Sequence, residues 1–188
     1  MLSLKIIIAS TRPGRKGPAI AKWIHEKTLT HNGFTVELLD LAQINLPFLD
    51  EPEHPRFKKY THEHTKKWSA AIDSADAYIM VTPEYNFSMT APLKNALDFL
   101  FVEWAKKPVA FVSYGGMSGG IRAVQTLKQV VTTLKMMPLT ESIAIPFFTK
   151  FIDDNGVFNA DEMLNKSADA LLKELEIWAS ALKTIRGK

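Results

Sequence analysis

Short apolar runs alternate along this chain with segments of helical period, and few folds accommodate that order. Five runs rich in β-branched residues are predicted strands, at 4–10, 34–40, 75–82, 107–114 and 139–145. The first, third and fourth are almost continuously apolar, as expected of strands covered on both faces. The second alternates and is expected nearer an edge of the sheet. Strands that alternate with helices indicate a parallel sheet.

Helical spacing of apolar residues fills the intervals between these strands. It is clearest in four groups: Ile20, Trp23 and Ile24; Leu93, Leu97, Leu100 and Trp104; Val124, Leu127, Val131 and Leu134; and the stretch from Leu164 to Ile185. The last group fits a coiled-coil seam as well as a helix on a sheet, and its short length favours the sheet. A less regular helix is predicted between 56 and 75. Right-handed crossovers then give a three-layer α/β sandwich of the doubly wound type.

Composition limits the class of protein further. The chain has 188 residues, of which 46% are hydrophobic, enough for one domain over 1–188. No apolar run reaches the length of a membrane span, and the N-terminal run lacks the charged segment of a signal peptide, so we expect a cytoplasmic protein with no membrane partner. The absence of cysteine excludes a disulfide framework and a thiolate nucleophile. The net charge of +3 is too small for a dedicated nucleic-acid binder.

Two connections are longer than most loops between strands and helices. Residues 42–56 contain three prolines, and residues 146–161 contain an Asp-Asp-Asn-Gly turn. Each is a candidate lid or subunit contact, with an ordinary surface excursion as the alternative.

The candidate site lies in the loops after the first, third and fourth strands. In a doubly wound sheet, ligands bind outside the carboxyl ends of the strands, where the strand order reverses. The first of these loops leads into a helix and collects hydroxyl groups, cations and glycine: Ser10, Thr11, Arg12, Arg15, Lys16, Gly17 and Pro18. A helix N-terminus with such neighbours suits a phosphate monoester. A merely solvated basic loop is the alternative.

Two other phosphate-binding motifs are absent from this loop. Gly14-Arg15-Lys16-Gly17 fits neither the dinucleotide motif G-x-G-x-x-G nor the nucleoside-triphosphate motif G-x-x-x-x-G-K-[ST]. Asp40 nevertheless ends the second strand, where a dinucleotide fold places its ribose-binding acid. Dinucleotide binding therefore remains an open alternative.

The other two loops favour a planar ligand. The third strand ends in a turn formed by Pro83, Glu84, Tyr85 and Asn86. Tyr85 offers an aromatic face, and the backbone and Asn86 amides offer hydrogen bonds to a ring edge, although a structural turn would also explain part of this cluster. After the fourth strand, Gly115 and Gly116 allow a ligand to approach the backbone closely, whereas Gly119 and Gly120 are explained equally well by packing of a helix on its strand.

No carboxylate pair, catalytic triad or metal-binding set emerges from the sequence. His62 and His64 are expected to point to different sides of a helix and therefore not to share a metal. A protein whose cofactor supplies the chemistry needs no such groups, so we assign no catalytic side chain.

Taken together, the segments "STRPGRKGP", "PEYNFSMTAPLKNALDFL" and "SYGGMSGGIRA" resemble the NAD(P)H-dependent FMN reductase family of flavodoxin-like proteins, which includes quinone, azo-dye and chromate reductases. The resemblance implies a five-stranded parallel sheet of order 2-1-3-4-5 and FMN at its strand ends. It also implies NADPH or NADH as donor, a homodimer or homotetramer, and a ping-pong reaction. The acceptor is then a small molecule: a quinone, azo compound, nitroaromatic, ferric chelate, chromate or free flavin.

The resemblance also assigns residues. Ser10, Arg12, Gly17, Pro18 and Ala19 match the residues that bind the FMN phosphate, and Pro83, Glu84, Tyr85 and Asn86 match the turn at the isoalloxazine ring. Ser113, Gly115 and Gly116 match the wall beside its pyrimidine end. Thr11, Arg15, Lys16 and Tyr114 complete the predicted FMN-binding set. Many relatives carry serine at position 17, so Arg15 or Lys16 is expected to compensate, and Thr90-Ala91-Pro92 departs from a glycine found in some relatives.

Two functions of other classes remain open alternatives. A flavodoxin-like electron carrier would exchange single electrons with a protein and would not turn over nicotinamides. A flavin redox-sensing interaction protein would use loop 42–56 as its contact.

Overall fold

The computed structural model describes residues 1–187, which contain one five-stranded sheet. Its strands are β1 (Leu2–Ile8), β2 (Phe34–Asp40), β3 (Ala77–Pro83), β4 (Pro108–Tyr114) and β5 (Met137–Ile145). The spatial order is β2-β1-β3-β4-β5, and every neighbouring pair is parallel. The predicted strands and the order 2-1-3-4-5 are therefore confirmed. The alternating strand β2 lies at an edge, as its pattern predicts.

Six α-helices connect or follow the strands of this described region. They are α1 (Gly17–His31), α2 (Leu41–Ile44), α3 (Glu63–Asp73), α4 (Ala91–Asp98), α5 (Ile121–Thr133) and α6 (Glu162–Ile185). Short 3-10 turns occupy Pro55–Phe57, Val102–Trp104 and Phe148–Phe151. None of the helices within residues 1–187 has the length and apolar character needed to cross a membrane.

Two apolar layers enclose the sheet because successive strand residues face opposite sides. Leu4, Ile6 and Ile8 of β1 join the layer beneath α1 and α6, whereas Ile7 and Ala9 join the layer beneath α3, α4 and α5. Helix α6 lies against β4, β5 and α1 with its buried leucines inward. The periodicity of its sequence thus reflects packing on the sheet and not a coiled-coil seam.

The long connection 42–56 is fastened at two points. The Asn95 side chain of α4 donates to the Pro47 carbonyl (2.7 Å) and accepts from the Leu49 amide (3.1 Å). Glu51 accepts from the amides of Thr61 and His62 just before α3. Burial opposes ionisation of Glu51, but these hydrogen bonds outweigh it and lower its pKa to about 2.

The predicted orientation of the two histidines is wrong. His62 precedes α3 as its N-cap and does not lie within the helix, so its ring stacks on that of His64 with centroids 5.2 Å apart. Both rings turn toward Asp50, at 4.0 Å from His62 and 3.0 Å from His64. No group of three His, Asp or Glu side chains positioned for a metal occurs among residues 1–187.

Candidate functional site

The loops after β1, β3 and β4 converge at the carboxyl edge of the sheet. The Thr90 hydroxyl donates to the Ala9 carbonyl (3.0 Å), and the Glu84 amide donates to the Tyr114 carbonyl (3.3 Å). The Ser10 and Tyr85 hydroxyls lie 3.4 Å apart. This is the point at which β1 leads outward to β2 while β3 leads to β4 on the other side, as predicted for the ligand crevice.

Residues 10–19, which we call the anion loop, carry β1 into α1. The helix starts at Gly17 with Pro18 in its first turn, has no acidic residue there, and its N-cap Lys16 makes no side-chain capping bond. The amide end of α1 therefore keeps its partial positive charge. Ser10 and Gly17 are buried in the loop, whereas Thr11, Arg12 and Lys16 are exposed around it.

Arg15 lies in the anion loop but is bound to an acid. Its guanidinium contacts the Asp40 carboxylate through two hydrogen bonds of 2.5 and 2.6 Å and also donates to the Ser10 carbonyl (2.7 Å). Asp40 accepts further from the Ala42 amide (3.0 Å). Burial raises the pKa of Asp40, but the bonds and the charge of Arg15 outweigh it and lower that pKa.

This ion pair changes two interpretations drawn from the sequence. Asp40 already accepts three hydrogen bonds from Arg15 and Ala42 and its side chain is only 10% exposed, which disfavours a ribose-binding role. Arg15 holds the anion loop to the end of β2, so Arg12 and Lys16 are the cations of the loop that form no ion pair with a described residue. A loop with two cations outside any described ion pair, a helix N-terminus and buried Ser10 fits a phosphate monoester.

The turn after β3 is held in an unusual shape by its neighbours. The Tyr85 and Ser88 backbones exchange two hydrogen bonds of 3.0 Å, and both Asn86 and Phe87 have left-handed backbone angles (φ 49° and 66°). The side chain of Phe87 is 62% exposed and that of Tyr85 is also exposed. The turn therefore exposes aromatic surface next to Ser10, and its binding of a planar ring stays a prediction.

The Glu84 carboxylate points toward helix α5. It accepts from Arg122 Nε (2.6 Å), the Arg122 amide (3.1 Å) and the Ser118 hydroxyl (3.0 Å), and its side chain is only 7% exposed. The Arg122 guanidinium also lies 3.9 Å above the Phe87 ring. Burial raises the pKa of Glu84, but the bonds from Arg122 and Ser118 outweigh it and lower that pKa. No local sequence pattern points to this role of Arg122, because Glu84 follows β3 whereas Arg122 lies in α5.

We expect the variant Arg122→Gln to weaken FMN binding about fivefold, because the aromatic turn loses the contact that orders it.

The lowered pKa of Glu84 stabilises the fold at pH values above its unfolded-state pKa near 4.5, and this stability is lost as the pH falls through the folded pKa. Without Arg122 the folded pKa rises, so the stability gained with increasing pH shrinks. Urea unfolding of wild type and variant between pH 3 and 7 measures this pH dependence of the free energy of unfolding. Lys128→Gln, six residues further along α5, is the control. An equal loss of FMN affinity and of pH-dependent stability in both variants would contradict the role of the Arg122–Glu84 pair.

The glycines after β4 divide into two kinds. A Cβ on Gly120, whose φ is +86°, would lie 2.8 Å from Ser113 Cβ and 2.9 Å from the Tyr114 amide nitrogen, and one on Gly119 would lie 3.0 Å from the Pro146 nitrogen. This later pair is therefore required for close packing. A Cβ on Gly116 would meet nothing within 4 Å. A Cβ on Gly115 would lie 3.3 Å from the Gly120 nitrogen, so Gly116 is the open position of the two. Approach of a ligand to Gly115 and Gly116 stays a prediction.

A cavity of about 520 Å³ adjoins the anion loop, and the sequence analysis did not predict it. It lies between α2 and α4 and is lined mainly by apolar groups, among them Leu41, Leu46, Phe48, Pro92 and Ala96, with Thr11 at its edge. Asn95, whose side chain is hydrogen-bonded to Pro47 and Leu49 of loop 42–56, also lines the cavity.

A doubly wound sheet with an anion loop after β1 and an aromatic turn after β3 defines a flavodoxin-like mononucleotide-binding protein. Comparison with known proteins agrees with this class. The model of the NADPH-dependent FMN reductase family matches residues 3–150. The chain therefore belongs to the NADPH-dependent FMN reductase family, which confirms the predicted family, the oxidoreductase class and the FMN and NAD(P)H cofactors that define it.

Individual relatives carry names of the same kind. An NAD(P)H-dependent FMN reductase of Schizosaccharomyces pombe is 43% identical over 145 residues, covering 75% of this chain and 72% of the relative. An NAD(P)H:quinone oxidoreductase of Solanum tuberosum is 33% identical over 163 residues, covering 80% and 78%. The solved structure of FerB, a flavoenzyme NAD(P)H:(acceptor) oxidoreductase of Paracoccus denitrificans, superposes with a TM-score of 0.78 at 19% identity, covering 96% and 98%, and shows the same fold.

Proposed function

We propose that this chain holds FMN in the crevice formed by the three loops and uses NADPH or NADH to reduce a quinone. The observation that carries the proposal is the position of the anion loop beside the aromatic turn, with the Ser10 and Tyr85 hydroxyls 3.4 Å apart. A phosphate and a planar ring on one ligand match that pairing. A quinone is the proposed acceptor because the relative from Solanum tuberosum is an NAD(P)H:quinone oxidoreductase by name. Azo, nitro, ferric, chromate and flavin acceptors are the other members of the proposed class.

Each part of the site has a separate task in this proposal. Ser10, Arg12 and the Gly17 amide bind the phosphate, whereas the Ala19 amide already donates to the Lys16 carbonyl (3.2 Å). The turn at Tyr85 and Asn86 orients the ring. The backbone at Gly115 and Gly116, which is open at Gly116, lies beside the pyrimidine end. When bound, FMN supplies the hydride and electron transfer, which is why the site needs no acid–base pair.

The rim of the crevice supports a ping-pong order of reaction. Phe87 and Met117 are 62% and 85% exposed, so the crevice has an open apolar edge at the turn and at the loop after β4. A nicotinamide and then an acceptor use the same opening in turn, because flat aromatic molecules stack on such edges. Arg122 is paired with Glu84, so its charge is not available to bind the extra phosphate of NADPH. Steady-state rates with NADPH and with NADH measure the donor preference.

The direct test is spectroscopic and kinetic. We expect the purified protein to bind FMN with a flavin absorption spectrum and to oxidise NADPH or NADH when a quinone is added, with parallel double-reciprocal plots. Protein that cannot be loaded with FMN would contradict the proposal. Bound flavin that neither nicotinamide reduces would favour the electron carrier.

The variant Arg12→Gln tests the anion loop. We expect its affinity for FMN to fall about tenfold and its affinity for riboflavin, which lacks the phosphate, to stay within twofold, since a hydrogen bond to a charged group contributes about 1.5–3 kcal/mol. Fluorescence quenching of the two flavins measures both. Lys22→Gln, which removes an exposed charge further along α1, is the control and should leave both affinities unchanged. Equal weakening for the two flavins would contradict a phosphate contact.

We also propose that the protein is cytoplasmic and assembles as a homodimer or homotetramer. Large apolar side chains are exposed on loop 42–56, including Phe48 and Leu49, and such surfaces are typical of contacts. Light scattering after size exclusion measures the mass. A monomer at micromolar concentration would contradict the assembly, and fractionation of cells tests the compartment.

A further inference from the structure

Tyr114, the last residue of β4, has a buried hydroxyl that lies near the Ser10 hydroxyl but forms no hydrogen bond of normal geometry with residues 1–187. The residue is 3% exposed, and its Oη finds no hydrogen-bond partner among residues 1–187. Its ring is fixed edge-on to that of Phe148, with centroids 5.0 Å apart. A buried hydroxyl without a partner costs free energy, so its presence calls for an explanation.

The hydroxyl lies at the anion loop. A Cβ built on Gly17 would be 2.8 Å from Tyr114 Oη and 3.7 Å from Ser10 Cβ. Burial raises the pKa of Tyr114, while the Ser10 hydroxyl and the charges of Arg15 and Arg12 oppose that rise. The phenol of β4 therefore reaches under the sheet end to the first turn of α1, next to the groups assigned to phosphate.

Gly17 and Tyr114 form a complementary pair. The backbone of Gly17 has no positive φ, so glycine is needed there for space and not for conformation. A serine at position 17 would put its Cβ against the Tyr114 hydroxyl. The space between Gly17 and β4 holds one hydroxyl group. In this chain Tyr114 of β4 supplies it, and not a side chain at position 17 of α1.

We propose that the Tyr114 hydroxyl is a hydrogen-bond donor to the terminal phosphate of FMN and takes the place of the hydroxyl that a serine at position 17 would supply. This rests on the proposed function. Arg15, one of the two residues expected from the sequence to compensate for Gly17, is bound to Asp40. The hydroxyl is closed off from solvent and faces the first turn of α1, so a phosphate bound in the anion loop is the partner proposed for it.

The variant Tyr114→Phe separates this role from a structural one. We expect its affinity for FMN to fall at least about tenfold while that for riboflavin stays within about twofold, because only FMN carries the phosphate. The unfolding midpoint of the flavin-free protein should stay the same or rise, since the variant removes an unpaired buried hydroxyl. Fluorescence titration with each flavin and urea unfolding measure these quantities. Equal weakening for both flavins with a lower midpoint would show a structural role and overturn the proposal.

The variants Gly17→Ser and Gly17→Ser/Tyr114→Phe complete the test. The single change should weaken FMN binding because Cβ meets the hydroxyl, and the double change should restore the affinity to within about threefold of the wild type. A double variant no better than Gly17→Ser would overturn the proposal. Wild-type protein that prefers FMN while Tyr114→Phe keeps the same preference overturns this inference alone. Wild-type protein that binds neither flavin overturns the proposed function as well.

Discussion

Replacing Gly120 with alanine is expected to lower the free energy of unfolding by about 2–4 kcal/mol. The residue has a φ of +86°, which costs an L-residue about 1–3 kcal/mol. The new Cβ would also lie 2.8 Å from Ser113 Cβ and 2.9 Å from the Tyr114 nitrogen, closer than van der Waals contact. Neither β4 nor the start of α5 moves freely, so the two costs add. Urea unfolding of the flavin-free protein measures the loss.

Gly116→Ala provides the matched control, four residues earlier in the same loop. Its φ is not positive, and its Cβ would meet nothing within 4 Å, so we expect a change in unfolding free energy below about 0.5 kcal/mol. FMN binding should nevertheless weaken in this variant if a ligand approaches the backbone there, as proposed. Equal destabilisation by the two substitutions would contradict the distinction between Gly120, which is packed, and Gly116, which is open.

The variant Arg15→Ala is expected to lower the free energy of unfolding by about 2–3 kcal/mol and to weaken FMN binding about tenfold. Arg15 and Asp40 side chains are 18% and 10% exposed, so the change leaves a largely buried carboxylate without its partner. It also removes the bond to the Ser10 carbonyl that fixes the anion loop. Urea unfolding and FMN titration measure the two effects.

Two comparisons make this prediction specific. Arg15→Ala/Asp40→Asn should be more stable than Arg15→Ala, because no unpaired charge remains. Lys22→Ala removes an exposed ion pair with Glu26 (3.9 Å) on α1 and should cost less than about 0.5 kcal/mol. Costs for Arg15→Ala and for Asp40→Asn that simply add in the double variant would show that the two side chains do not interact.

The strands and the site region were predictable because their signals are local. A buried parallel strand is specified by a run of about four to eight neighbouring residues, and the turn residues that end it follow directly in the chain. The sequence therefore predicted that the loops around Ser10, Tyr85 and Gly115 meet. The stacking of His62 on His64 was not predictable, because Glu51 from loop 42–56 binds the backbone at Thr61 and His62 ahead of α3.

The sequence by itself determined the parallel sheet, the five strands, the position of the crevice and the residue types that surround it, since period and turn chemistry act over a few residues. Only the tertiary structure decided which charged or polar group has which partner. It paired Arg15 with Asp40 and Glu84 with Arg122, and it placed the Tyr114 hydroxyl against Gly17. Such pairing depends on the space between segments that are distant along the chain, and no local pattern encodes that distance.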